Sequence, residues 1–236
     1  MQATMEYRKD FTGLLVPFLV GFGLVGAGSS LTGDNPAEHA ILVAMSNVVV
    51  IALIAVFLRT RDMTLSDLGV TFEPVPVRRV LASVAWSVPV FVAGVLAFLA
   101  TGWLATFVTG SPQQADTSAY NVMKVDAAML IMMLPFVWIF TSFAEEVIYR
   151  GFLITWIEKM VSGALNDRAA TVASVLIAGC IFGAVHYAWG VAGMLQAGAM
   201  GIVMGLAYVY LDRRLWLLVL AHGYMDTLLF VQVYLT

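Results

Sequence analysis

Three uninterrupted apolar runs limit what this chain can fold into. Ala40–Leu58, Val80–Val108 and Val191–Leu211 contain no Asp, Glu, Lys or Arg, and each reaches the roughly 20 residues a helix needs to cross a bilayer. Backbone polar groups in hydrocarbon have to be satisfied within their own segment, which a helix does unaided. The 236-residue chain as a whole is 61% hydrophobic and 11% charged, against about 25% charged in an ordinary soluble domain. The reading is an all-α polytopic membrane protein, with one integral-membrane domain over residues 1–236. A net charge of −3 argues against nucleic acid as a partner and leaves the lipid bilayer as the certain one. The single cysteine, Cys180, excludes an intrachain disulfide. It lies in an apolar run and reads as a small buried core residue.

Taken in order, the chain divides into about seven transmembrane helices. Phe11–Leu31 is the first; its apolar core is longer than that of a cleaved signal peptide, so it reads as an uncleaved helix. Ala40–Leu58 is the second. The Arg59–Arg79 linker, with Pro74 and Pro76 as turn formers, leads to the third at Val80–Val108, where Pro89 is a candidate kink and Trp103 suits an interface. The fourth starts at Ala127 and its helical pattern runs past Glu145 and Glu146 towards Val161. Ala169–His186, Val191–Leu211 and Leu215–Tyr234 complete the set. Lys and Arg fall on alternate loops. Arg8, Lys9, Arg59, Arg61, Arg78, Arg79, Lys159, Arg168, Arg213 and Arg214 make ten on one side, against Lys124 alone on the other. The positive-inside rule then places the N-terminus in the cytoplasm and the C-terminus outside. In the sixth span Ala197, Gly201 and Gly205 recur every four residues, a small-residue stripe that lets helices approach closely.

Polar side chains interrupt the spans at three places. The fourth carries Glu145, Glu146 and Arg150; the fifth ends on Phe182 and His186; the seventh holds His222 and Asp226. Glu146 and Arg150 are i,i+4 neighbours and can pair. Glu145 is turned about 100° away, so one carboxylate is neutralised and the other is left for chemistry. Each of these groups costs a few kcal/mol unpaired in hydrocarbon, so they are expected to converge on one polar cavity. His39, at a loop end, has no assigned role. A glutamate can take a proton from water, and an imidazole can orient that water or hold a metal. Nearby imidazole and carboxyl groups can stabilise an oxyanion. Together these residues suit hydrolysis of an amide bond. No G-x-S-x-G elbow and no H-E-x-x-H helix occurs, which removes the usual serine and zincin routes.

The pattern Glu145-Glu146-x-x-x-Arg150, Phe182-x-x-x-His186, His222-x-x-x-Asp226 resembles that of the CAAX-protease and bacteriocin-processing membrane proteins (the CPBP or Abi family, type II CAAX prenyl endopeptidase-like). The resemblance covers about the last 110 residues, a motif-bearing core from about 127 to 236. It implies an intramembrane endopeptidase in a prokaryotic cytoplasmic membrane, its active site toward the cytoplasmic side, acting on a membrane-associated peptide or protein. Glu145 would be the general base and His186 its partner on the water. His222 and the residue four on would hold the oxyanion, with Glu146, Arg150 and Phe182 in support. Prenyl-protein members carry asparagine where this chain has Asp226. A carboxylate accepts hydrogen bonds only, so Asp226 could instead orient His222 or ligate a metal. If a divalent metal such as zinc is bound, Glu145, His186 and His222 would supply a three-ligand open site. Two other readings stay open: a proton-coupled transporter, in which the same groups form a relay, and a non-catalytic immunity or scaffolding protein. The topology also poses a geometric requirement. His186 ends a helix running outward, so the Tyr187–Gly190 turn has to lie recessed for His186 to reach the other groups.

Overall fold

A computed structural model describes residues 11–13, 15–25, 28 and 36–236. The described residues form helices α1 (Phe11–Val25), α2 (Pro36–Arg59), α3 (Val77–Thr109), α4 (Ala127–Val161), α5 (Asp167–Val185), α6 (Gly190–Tyr210) and α7 (Leu215–Leu235). Short 3₁₀ turns occupy Leu65–Leu68, Ser118–Met123 and Tyr187–Trp189. Six of the helices, α2 to α7, are long and apolar enough to cross a membrane, so the all-helical polytopic architecture holds. Of the expected first span, Phe11–Leu31, α1 covers the beginning; the stretch beyond it lies outside the described residues, apart from residue 28.

Helix ends sit where capping chemistry puts them. The Asp126 carboxylate accepts from the Met129 amide at the start of α4, and the Asn166 side chain does the same for Ala169 before α5, each satisfying an otherwise orphaned N–H. Gly110 closes α3 with φ 70°, a left-handed conformation that glycine adopts without strain. Pro89 is accommodated within a continuous α3.

The small-residue stripe of the sixth span packs as expected. Ala197 is fully buried, and a Cβ on Gly201 would lie 3.0 Å from the Phe182 ring. A Cβ on Gly183 would lie 2.5 Å from the Met194 carbonyl oxygen. The α5 and α6 backbones therefore touch along this seam, which holds Phe182 and His186 in place. Cys180 is a correction: it is exposed on α5, not a core residue. In a membrane bundle the outer face is apolar as well, so an apolar neighbourhood in the sequence does not distinguish core from lipid-facing positions.

The fourth helix departs from regularity where the polar residues are. Trp138–Phe143 and Glu146–Ile154 are wound as π-helix, with i→i+5 bonding that widens the turn and often marks functional positions. Widening frees carbonyls for other donors. The Asn47 side chain on α2 donates to the Phe140 carbonyl at 2.9 Å, tying α2 to this stretch.

Candidate active site

Helices α4 and α7 run antiparallel, and three side-chain bonds fix their register. Trp138 donates to Thr227 at 3.0 Å, Ser142 to Asp226 at 2.7 Å, and His222 Nδ1 to Glu146 at 2.7 Å. The Glu pair of α4 and the His222/Asp226 pair of α7 thus meet at one level. The cluster is closed to the surroundings: Glu146 is 0%, Arg150 1%, His222 3% and Glu145 8% exposed.

Glu146 is the anchor. Its Oε1 accepts from Arg150 Nη1 at 2.7 Å and from His222 Nδ1 at 2.7 Å. The expected i,i+4 pair is present, and it also grips the imidazole of another helix. Because a carboxylate only accepts, the hydrogen on His222 Nδ1 points to Glu146, and Nε2 is left facing the other way. There it lies 3.9 Å from Glu145 Oε2 and 3.8 Å from Asp226 Oδ2. Both separations are too long for direct hydrogen bonds. Glu145 Oε2 is buried and accepts no hydrogen bond from the described residues. Asp226 Oδ2 is held by the Ser142 hydroxyl.

Phe182 explains why an aromatic residue stands in the second motif. Fully buried, it lies under Arg150, whose Cζ is 4.3 Å from the ring centroid, a cation–π contact. The same ring is 4.7 Å from the His186 ring and 6.1 Å from the His222 ring. His186 therefore joins the cluster across Phe182, on its flank. Its Nδ1 donates to the Phe182 carbonyl at 2.7 Å, which leaves Nε2 as the available nitrogen. The turn after His186 is overlaid by the Gly110–Asp126 segment. The Asp116 amide donates to the Trp189 carbonyl at 3.0 Å, and the Tyr120 ring lies edge-on to Trp189 at 6.3 Å. The structure thus brings Glu145, Glu146, Arg150, His222 and Asp226 together, with Phe182 and His186 adjoining.

Three residues of this region were missed. Ser142 and Asn47 are polar residues inside apolar spans, the same signal that singled out the charged ones, but hydroxyls and amides are common there and carry less weight. Tyr120 belongs to a loop, where nothing in the sequence tells that it folds back over helices. It packs against Phe230 of α7 at 5.3 Å.

A metal does not fit the side chains as they stand. Among the described residues no group of three His, Cys, Asp or Glu side chains is arranged to hold an ion.

Fold and site together define a helical membrane protein with buried carboxylates and imidazoles gathered between antiparallel helices. Residues 127–228 match the family described as type II CAAX prenyl endopeptidase, Rce1-like. All three motifs lie in order inside that range, and the match supports the resemblance to CAAX proteases read from the sequence. The chain matches no curated protein and no solved structure.

Proposed function

We propose that the protein is an intramembrane endopeptidase in which Glu145 activates water against a peptide bond of a membrane-associated substrate. The observation that carries this reading is the Glu145 carboxylate. It is buried, has an oxygen that accepts no hydrogen bond from the described residues, and faces His222 Nε2 across 3.9 Å. A base of this kind needs a proton donor within hydrogen-bond reach, and a water bonded to both groups from the side of the gap would supply it.

The remaining residues take roles their contacts support. Glu146, bonded to both Arg150 and His222 Nδ1, fixes the ring so that Nε2 addresses the gap. In its imidazolium form His222 donates from Nε2 to the oxyanion that develops on the scissile carbonyl. Asp226 faces the same nitrogen at 3.8 Å and accepts from Ser142; it supports the imidazolium by charge and is not itself a donor. His186, with Nε2 available, is the second group on the attacking water. No step runs through a metal.

Purified protein acting on membrane-anchored peptides tests the reading directly. A peptide with a prenylated C-terminal cysteine and its unprenylated counterpart, each with and without chelator, should show cleavage that survives chelation. Absence of cleavage on either peptide, by protein whose fold is intact, contradicts the proposal.

A further inference from the structure

The segment joining α3 to α4 is tied down on both sides of the polar cluster. Towards the α5–α6 turn, the Asp116 amide donates to the Trp189 carbonyl at 3.0 Å. Ala115 packs on the first turn of α6, where a Cβ on Gly193 would lie 3.2 Å from the Ala115 Cβ. Towards α7, the Val125 amide donates to the Tyr234 carbonyl at 3.3 Å, and Met123 is buried. Between these anchors stands Tyr120, in the 3₁₀ turn Ser118–Met123.

Tyr120 reaches both walls of the site. Its ring centroid is 5.3 Å from that of Phe230, which follows Asp226 by one turn of α7. It is 6.3 Å from Trp189, and Trp189 is in turn 4.8 Å from the His186 ring. The phenol also feels the carboxylates of the cluster. Burial, and then the charges of Asp226 and Glu145, raise it above the usual phenol range, so it keeps its proton. The Trp189 side chain stands within hydrogen-bonding reach of the phenol oxygen. An indole only donates, so this contact orients the phenol and leaves its own hydrogen for another acceptor. Asp226 Oδ2 is not that acceptor at rest, since it takes its bond from Ser142.

Hydrolysis at this site would build negative charge on the scissile carbonyl oxygen, which converging donors stabilise. In the reaction proposed above, His222 Nε2 is one such donor. Ionised Glu145 and Asp226 only accept, so neither can be a second. We propose that Tyr120 is the second oxyanion donor, its hydroxyl bonding the developing oxygen alongside His222. This inference rests on the protease reading and adds a catalytic residue to it, carried by the α3–α4 segment outside the three motifs.

Single-turnover cleavage of a membrane-anchored peptide by the full chain, compared between wild type, Tyr120→Phe and Tyr120→Leu, tests it. Phenylalanine keeps the ring against Phe230 and Trp189 and removes only the hydroxyl. Tyr120→Phe should cleave about 10²-fold more slowly at saturating peptide, the usual cost of losing one oxyanion donor. Its half-saturating peptide concentration and unfolding temperature should stay at the wild-type values. Tyr120→Leu, which loses the ring as well, should be at least as slow. A wild-type rate in Tyr120→Phe, with loss confined to Tyr120→Leu, would assign Tyr120 to packing and overturn the proposal while leaving Glu145 as the base. A change in Tyr120→Phe confined to the half-saturating concentration would overturn it as well, by making the hydroxyl a substrate-binding group only. Absence of cleavage by wild type would remove the protease reading, and this inference with it.

Discussion

Residue by residue, the site divides into carboxylates held by hydrogen bonds and one, Glu145, that is not. Glu146 is held twice through Oε1, by Arg150 and by His222. Truncating Arg150 leaves a buried carboxylate with its charge uncompensated, and breaking such a pair typically costs about 3–5 kcal/mol. Arg150→Ala should therefore unfold at markedly lower temperature or fail to accumulate, read by thermal unfolding in detergent; a variant of wild-type stability that is inactive would move Arg150 into the chemistry. Ser142 and Asp226 form the second satisfied pair, at 2.7 Å. Removing a hydrogen bond to a charged group costs roughly 1.5–3 kcal/mol, and residues in direct contact do not add. In a double-mutant cycle on cleavage rate, Ser142→Ala should therefore have much less effect once Asp226→Asn is in place. Strict additivity of the two would mean that Ser142 does not act through Asp226.

Among the elements, α4 and the α5–α6 seam set the geometry. α4 is legible in the sequence as a helix running through the Glu pair, yet its two π-helical stretches are not. They depend on partners such as Asn47 that come from a helix some ninety positions away, and no local pattern announces them. The pairing of Glu146 with Arg150 was legible because i,i+4 spacing fixes it within one helix. The pairing of Glu146 with His222 was not, because it depends on the register between α4 and α7. The stripe at Ala197, Gly201 and Gly205 was legible as packing, since only small residues permit such an approach. Its partner surface, Gly179 and Gly183 on α5, has the same four-residue spacing, but the sequence does not tell that the two stripes face each other. A methyl group on Gly183 would meet the Met194 carbonyl oxygen at 2.5 Å, and overpacking of this kind costs typically about 1–3 kcal/mol. Gly183→Ala should thus lower the unfolding temperature and, by shifting Phe182 and His186, reduce cleavage more than stability alone explains. An unchanged unfolding temperature would show that the seam is looser than the contacts indicate.

For the whole molecule, the membrane-crossing architecture was written in the long apolar runs, whereas the side of the membrane each loop faces rests on charge distribution alone. The ten-to-one bias of Lys and Arg predicts that single cysteines placed at Ser66 and at Gln114, in a Cys180→Ala background, label from opposite sides. In right-side-out vesicles the Gln114 position should react with an impermeant maleimide and the Ser66 position should not; the reverse pattern would invert the topology. The molecule as a whole then brings an otherwise unbonded carboxylate, Glu145, to the centre of a closed bundle, and the central claim is that this group is the base. The most direct measurement compares single-turnover peptide cleavage by wild type and Glu145→Gln, alongside thermal unfolding of both. General-base catalysis contributes about 10²–10⁴-fold, so Glu145→Gln should lose at least that much rate while unfolding at the wild-type temperature. Cleavage at the wild-type rate by Glu145→Gln would contradict the account.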